Sequence, residues 1–225
     1  MSPHRQTALV AGVFYLLTFV SIPTLALYAP VHDPKYIAGP GPDTGVLIGG
    51  ILEVIVALAA VGTAVALFPV VKRQNEAVAL GFVASRVLEA ATIFAGVAFL
   101  LSVVTLRQAG VGADGLVTGR ALVAMYDRMF LLGQSFFPAV NAVLLGSLLY
   151  QSRLVPRALP LLAFIGVPLL VGADVAVLFG LIGRSSSPAA LAALPIALWE
   201  LSLGVWLVVK GFNASPILAG DKSAS

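Results

Sequence analysis

The sequence predicts an all-α integral membrane protein, a single polytopic bundle of six transmembrane helices with both termini in the cytoplasm. Three observations lead there. Of 225 residues, 60% are hydrophobic and only 10% charged, with a mean hydropathy of +1.03, whereas about a quarter of a soluble domain is charged. The apolar residues fall into six runs, each longer than the roughly 20 residues that cross the hydrocarbon core as a helix. Most charges lie between the runs, in short connections whose lysine and arginine content sets the orientation.

Met1 to Gln6 form a polar leader carrying His4 and Arg5. The first run, residues 7–29, exceeds the 7–15 residues of a signal-peptide core and ends in Leu25-Ala26-Leu27-Tyr28-Ala29-Pro30, a poor cleavage pattern. It reads as a retained span, kinked at Pro23, where a backbone donor is missing. Val31 to Thr44 is a turn-rich loop containing Gly39-Pro40-Gly41-Pro42, and the second span covers 45–71. Lys72-Arg73-Gln74-Asn75 makes a tight basic turn into the third span, 76–106. The glycine-rich loop from Arg107 to Gly119 lacks the Lys-Ser/Thr of a P-loop and the spacing of a dinucleotide fingerprint, so it is a connector. The fourth span covers 120–150, the fifth 158–182 and the sixth 189–209, with a basic turn at Gln151 to Arg157 and a helix start at Ser187-Pro188. The membrane domain is therefore 1–212, followed by a short mobile cytoplasmic tail, 213–225.

One face of this topology collects Arg5, Lys72, Arg73, Arg153, Arg157, Lys210 and Lys222. The other has Lys35, Arg107, Arg120 and Arg184, diluted by Asp33, Asp43 and Asp114. The excess places the termini in the cytoplasm. The net charge of +3 is scattered between apolar runs and reads as topology, not as a nucleic-acid surface. With no cysteine, disulfides, thiolate metal sites and cysteine nucleophiles are excluded. The only histidines are His4 and His32, so no histidine-rich metal site, no catalytic residue and no cofactor is indicated.

Against that apolar background, the buried charges stand out. Arg86 and Glu89 lie three apart in the third run, so on a helix they share a face. A charge at membrane depth is costly and normally faces the bundle interior with a partner, which makes it a candidate for function. A rise of about 1.5 Å per residue puts Glu89 and Glu200 near the bilayer centre, and Glu53 and Asp174 in the outer half. Asp127 and Arg128 come about two turns inside the fourth helix, and Gln134 and Asn141 continue the Asp127 face at steps of seven. The ligand- or ion-binding candidates are thus Arg86, Glu89, Glu200, Asp174 and Glu53, with Asp127, Arg128, Gln134 and Asn141 as secondary polar positions. Five carboxylates face two guanidinium groups, so some acids must be neutral, open to outer-face water, or neutralised by a bound cation. Gly81, Ser85, Thr92 and Gly96 line up with Glu89 as a small and polar stripe on which another helix can pack closely. Trp199 and Trp206 share a face and read as packing or interfacial anchors.

Several segments carry a resemblance that spans nearly the whole chain. They are Ala11-Gly12-Val13-Phe14-Tyr15-Leu16-Leu17-Thr18, Arg86-Val87-Leu88-Glu89-Ala90, Tyr150-Gln151-Ser152-Arg153-Leu154-Val155-Pro156-Arg157, and Pro195 through Glu200 to Lys210-Gly211-Phe212. In order and spacing the chain resembles the small six-span bacterial membrane proteins grouped as a domain-of-unknown-function family, DUF4386-like. The resemblance implies a bacterial inner-membrane location, multi-pass, with no established activity and no catalytic residue to carry over.

Three functions compete. A small-solute or proton/cation-linked transporter would use Glu89, Glu200 and Asp174 to line an outward-facing cavity, with Arg86 tuning their protonation. Six short-looped helices are few for a transporter, so a homo-oligomer is expected with it. An accessory or sensory protein would use the same charges to fix helix packing or to meet a partner membrane protein. A lipid-modifying membrane enzyme would use a carboxylate as general acid or base, but its short cytoplasmic loops leave no headgroup site. The transporter reading leads. Its partners are the lipid bilayer and a small molecule or ion of unknown identity.

Overall fold

The structure, a computed structural model, describes residues 1–219. Six helices are long and apolar enough to cross a membrane: span 1 (Pro3–Leu27), span 2 (Thr44–Val71), span 3 (Glu76–Gln108), span 4 (Gly112–Ser152), span 5 (Ala158–Leu178) and span 6 (Ser187–Val209). No strand occurs among the described residues. The short connections make sequential spans antiparallel neighbours. Each packs on the next and span 6 closes back on span 1, so the six form a ring. Residues 213–219 fold back on the turn after span 4, where Asn213 N–H donates to Leu154 O and Ser215 Oγ donates to Ser152 O. The remainder of the expected tail, 220–225, lies outside the described residues.

At the near end, which carries the termini, the interior is closed by apolar packing. Tyr15, Leu67, Phe82, Leu145, Leu149, Trp199, Leu203 and Leu207 belong to one buried cluster. Arg5 donates to the carbonyls of Leu207 and Val208, capping the last turn of span 6 with a positive charge where the helix dipole is negative. Large apolar side chains such as Ile51, Leu58, Val65, Leu88, Ile165 and Leu198 cover the outside of the ring, as a lipid-facing surface requires.

Three spans depart from a straight helix, each for a readable reason. In span 1 the α-helix stops at Leu17 and a 3₁₀ turn runs over Thr18–Ser21 before Pro23. The hydroxyls of Thr18 and Thr24 donate to Tyr15 O and Ser21 O, satisfying carbonyls that the broken ladder leaves short. In span 4 Pro138 removes the donor that would bond the carbonyl of Gln134, and the turn widens to a π-helix over Leu131–Phe136. Span 5 ends at Leu178, before its apolar run does, because Gly180 takes φ +70°. Gly180 N–H then bonds Val177 O and Leu181 N–H bonds Ala176 O, the paired closure of a glycine-terminated helix. The loop that follows, residues 179–186, is free to lean back over the far end of the bundle.

The small-residue stripe of span 3 receives span 4 along its length. Gly96 faces Tyr126 and Met129, and Gly133 meets Thr92 so closely that a Cβ there would sit 2.3 Å from the Thr92 hydroxyl. Trp199 is fully buried in the near-end cluster.

Candidate polar site

The polar groups fall into layers, beginning with Arg86. Ten residues after the start of span 3, about 15 Å along its axis, Arg86 is 1% exposed. Its Nη1 donates to Glu89 Oε2 at 3.0 Å and its Nη2 to Glu200 Oε1 at 2.9 Å. Asn141 Nδ2 donates to the same Glu89 oxygen at 2.7 Å. The guanidinium also stands over the rings of Tyr15 and Phe82, at 5.2 and 5.7 Å from their centroids. Spans 1, 3 and 6 therefore meet on one cation, and span 4 joins them through Glu89. Two carboxylates against one guanidinium leave this layer one negative charge in excess when all three are ionised.

A second layer surrounds Glu53, which is 0% exposed. Tyr126 Oη and Gln134 Nε2 both donate to its Oε1, at 2.9 and 2.8 Å, while among the described residues Oε2 has no partner in full hydrogen-bond geometry and the Tyr28 hydroxyl lies beside the carboxyl. Beside it Ser135 Oγ donates to Asp174 Oδ1, and Asp174 Oδ2 is buried without a partner. Gln134 and Ser135 both belong to the π-helical turn. Successive residues on a helix point about 100° apart, so this one turn serves Glu53 on span 2 and Asp174 on span 5.

The third layer is at the far end. His32 Nε2 lies 3.1 Å from Asp127 Oδ1, and its Nδ1 lies 2.8 Å from Tyr28 O. Arg184, from the loop after span 5, brings Nη1 within 3.1 Å of the same Asp127 oxygen, off the line a hydrogen bond requires, so the contact is ionic. Its guanidinium covers Phe130 at 4.5 Å and Tyr126 at 5.5 Å. Nearby, Arg107 grips Asp43 with two nitrogens and Gly39 O with a third, while Tyr36 Oη and Gln108 Nε2 also donate to Asp43. These donors, Arg107 foremost, hold the Asp43 carboxyl well below the usual carboxylate range, and burial with the Asp43 bond pushes the Tyr36 phenol up to about 12.

Between the first and third layers lies a cavity of about 530 Å³ at the junction of spans 4, 5 and 6, with Leu25 of span 1 at its edge. Glu200, Asp174, Ser135, Gln134, Arg184 and Ser185 supply its polar lining, and apolar side chains including Leu131, Leu170, Ile196 and several alanines supply the rest. Residues 116–130 of span 4 pack mainly on span 3, span 5 is met by the π-helical turn and by residues 137–152, and the cavity lies where the two spans part. A second hollow of about 380 Å³ adjoins it, sharing Leu25, Phe130, Arg184 and Ser185.

Of the residues singled out in the sequence, Arg86, Glu89, Glu200 and Asn141 come together in one cluster. Glu53 and Gln134 form a second and Asp174 stands beside it. Asp127 goes to the mouth. Arg128 is exposed on span 4, and its side chain makes no ion pair or hydrogen bond among the described residues. The guanidinium that meets Asp127 is Arg184, which in the sequence reads as a loop charge. His32, Tyr15, Tyr126 and Ser135 were likewise silent, since a loop histidine and apolar-run tyrosines carry no pattern; the glycine at 180, as a helix stop, was the one available signal for Arg184.

Six apolar helices closed around a layered polar axis define a multi-pass membrane protein. The family model described as Domain of unknown function (DUF4386) matches residues 10–211, and the chain belongs to that family. No curated protein and no solved structure matches it.

Two outcomes follow from these layers. Replacing Arg86 by Met leaves Glu89 and Glu200 uncompensated and costs about 3–5 kcal/mol, read as denaturant unfolding in micelles; a loss under about 1 kcal/mol would show that the pairs carry little of the fold. His32 has its pKa raised by the bond to Asp127, against opposing effects of burial and of Arg184. A raised histidine contributes stability that is complete below its unfolded pKa, about 6.5, and is lost as pH rises through the higher folded value. His32→Gln removes that component of the pH–stability curve; an unchanged curve contradicts the assignment.

Proposed function

We propose that this protein is a small-solute or proton/cation-linked transport protein of the bacterial inner membrane, with cytoplasmic termini and a cavity that opens outward. The observation that carries this reading is the 530 Å³ cavity, whose polar lining includes Asp174 and Glu200. Its size falls within the 300–1,000 Å³ common for small-molecule sites. Closure of the near end supports access from one side, since Phe82, Leu149, Leu203 and Leu207, each at most 1% exposed, fill the ring between Arg86 and the termini.

The irregular helices support the same reading. Transporter sites gather where helices are interrupted near mid-membrane. Here the π-helical turn of span 4 supplies Gln134 and Ser135 to the polar layer, and Pro168 and Pro195 interrupt the hydrogen-bond ladders of spans 5 and 6. Arg86 holds Glu200 from the side away from the cavity, so the carboxylate can change partners while remaining anchored. Arg86 and Glu89 face the interior of the ring, so they offer no lone charge to a partner helix.

The test is thermal unfolding in detergent of the parent, Asp174→Asn and Glu200→Gln, across pH and a panel of small cations and metabolites. The two variants should unfold within a few degrees of the parent yet lose a pH- or ligand-dependent shift that the parent shows. Equal destabilisation of both, with no additive or pH effect in the parent, means that the acids only hold helices together.

A further inference from the structure

We infer that the ligand of this cavity is a monovalent organic cation, an ammonium head joined to an apolar body; this rests on reading the cavity as a ligand site. Three features of the lining point there. Asp174 is only 8% exposed, yet its Oδ2 has no partner, and the residue lines the cavity. A carboxylate oxygen buried in that position calls for a donor to offset its burial. Glu200 lines the same space with Oε1 held by Arg86, whose single charge is already shared with Glu89. Arg184, the one cation in the lining among the described residues, is engaged by Asp127. Among the described residues, therefore, the cavity has carboxylates in excess of cations and no free positive group to meet an anion.

The remaining wall distinguishes an organic cation from a metal ion. Leu131, Pro138, Leu170, Ala193, Ile196 and Ala197 face the carboxylates with hydrocarbon. A calcium-like ion takes about six to eight oxygens around it, which a wall mostly of hydrocarbon does not supply. An ammonium needs only the one or two carboxylates present, and its apolar body gains from every methylene that leaves water for the Leu170 and Ile196 side. Arg184 already shows the chemistry in miniature, a cation lying on Phe130 with a carboxylate beside it.

The experiment is thermal unfolding of the full chain in detergent, titrated with sodium, potassium, ethyl-, butyl- and hexylammonium chlorides, with hexanol and hexanoate as neutral and anionic controls. The alkylammonium ions should raise the midpoint, and the half-effective concentration should fall about three- to fourfold per added methylene. Asp174→Asn should abolish the response, and Asp114→Asn, in the 3₁₀ turn that opens span 4, should keep it. Ala193→Phe fills the apolar part without touching a carboxylate, so it should remove the chain-length dependence and spare the ethylammonium response; this variant keeps the test open if Asp174→Asn does not fold. The inference is overturned if hexanol or hexanoate acts as strongly as hexylammonium, if the alkali ions do, or if neither Asp174→Asn nor Ala193→Phe alters the series. If pH or sodium acts through Asp174 while the alkylammonium ions do nothing, the ligand class is wrong and the site stands. If nothing acts through Asp174 or Glu200, both readings fall.

Discussion

The buried guanidinium of Arg86 is the constraint on which the rest of the bundle depends. A cation 1% exposed within a membrane domain has no water to solvate it, and removing its partners would leave a charge that hydrocarbon cannot hold. Four spans answer that demand: Glu89 from span 3 itself, Glu200 from span 6, and Asn141 from span 4 through Glu89, with the Tyr15 ring of span 1 beneath. Because each contact is directional, the cluster fixes rotation and register of the helices together. Apolar packing between helices in lipid supplies no comparable selection, since lipid tails are as apolar as leucine.

On the far side of that cluster the bundle parts between spans 4, 5 and 6, and the parting has a local origin. Pro138 opens a π-helical turn in span 4, so Gln134 and Ser135 reach opposite neighbours. Gly180 ends span 5 early, so the loop carrying Arg184 folds over Phe130 and Tyr126. Between these two departures the ring parts, and the cavity is the gap. Its polar lining is thus a consequence of where helices break and of which acids Arg86 leaves partly unsatisfied.

The six spans were legible because composition and run length dictate them in a bilayer, and the shared face of Arg86 and Glu89 was legible because helix geometry is local. The pairing of Glu200 with Arg86, of Gln134 with Glu53 and of Asn141 with Glu89 was not, since each joins residues at least 52 positions apart. Asp127 and Arg128 illustrate the limit: adjacent residues diverge by about 100° on a helix, so only one can face inward, and hydropathy does not say which. Arg184 and His32 were hidden differently. Both sit in connections, where charge reads as topology, and their place beside Asp127 depends on the exact stop of span 5 and on the 3₁₀ turn at Pro30–His32. The last turn of span 5 lay inside an apolar run and carried only Gly180 as a marker.

The chain contains no cysteine, so single cysteines can report which parts of the axis meet water. The most direct measurement is labelling of Ala193→Cys and Leu203→Cys, in oriented membranes, with a membrane-impermeant maleimide applied from either face. The account predicts that Ala193→Cys reacts from the face opposite the termini, while Leu203→Cys, on the closed side of Arg86, reacts from neither. Labelling of Ala193→Cys from the terminal face alone, or of neither position from any face, would contradict a cavity open to one side above an Arg86 seal.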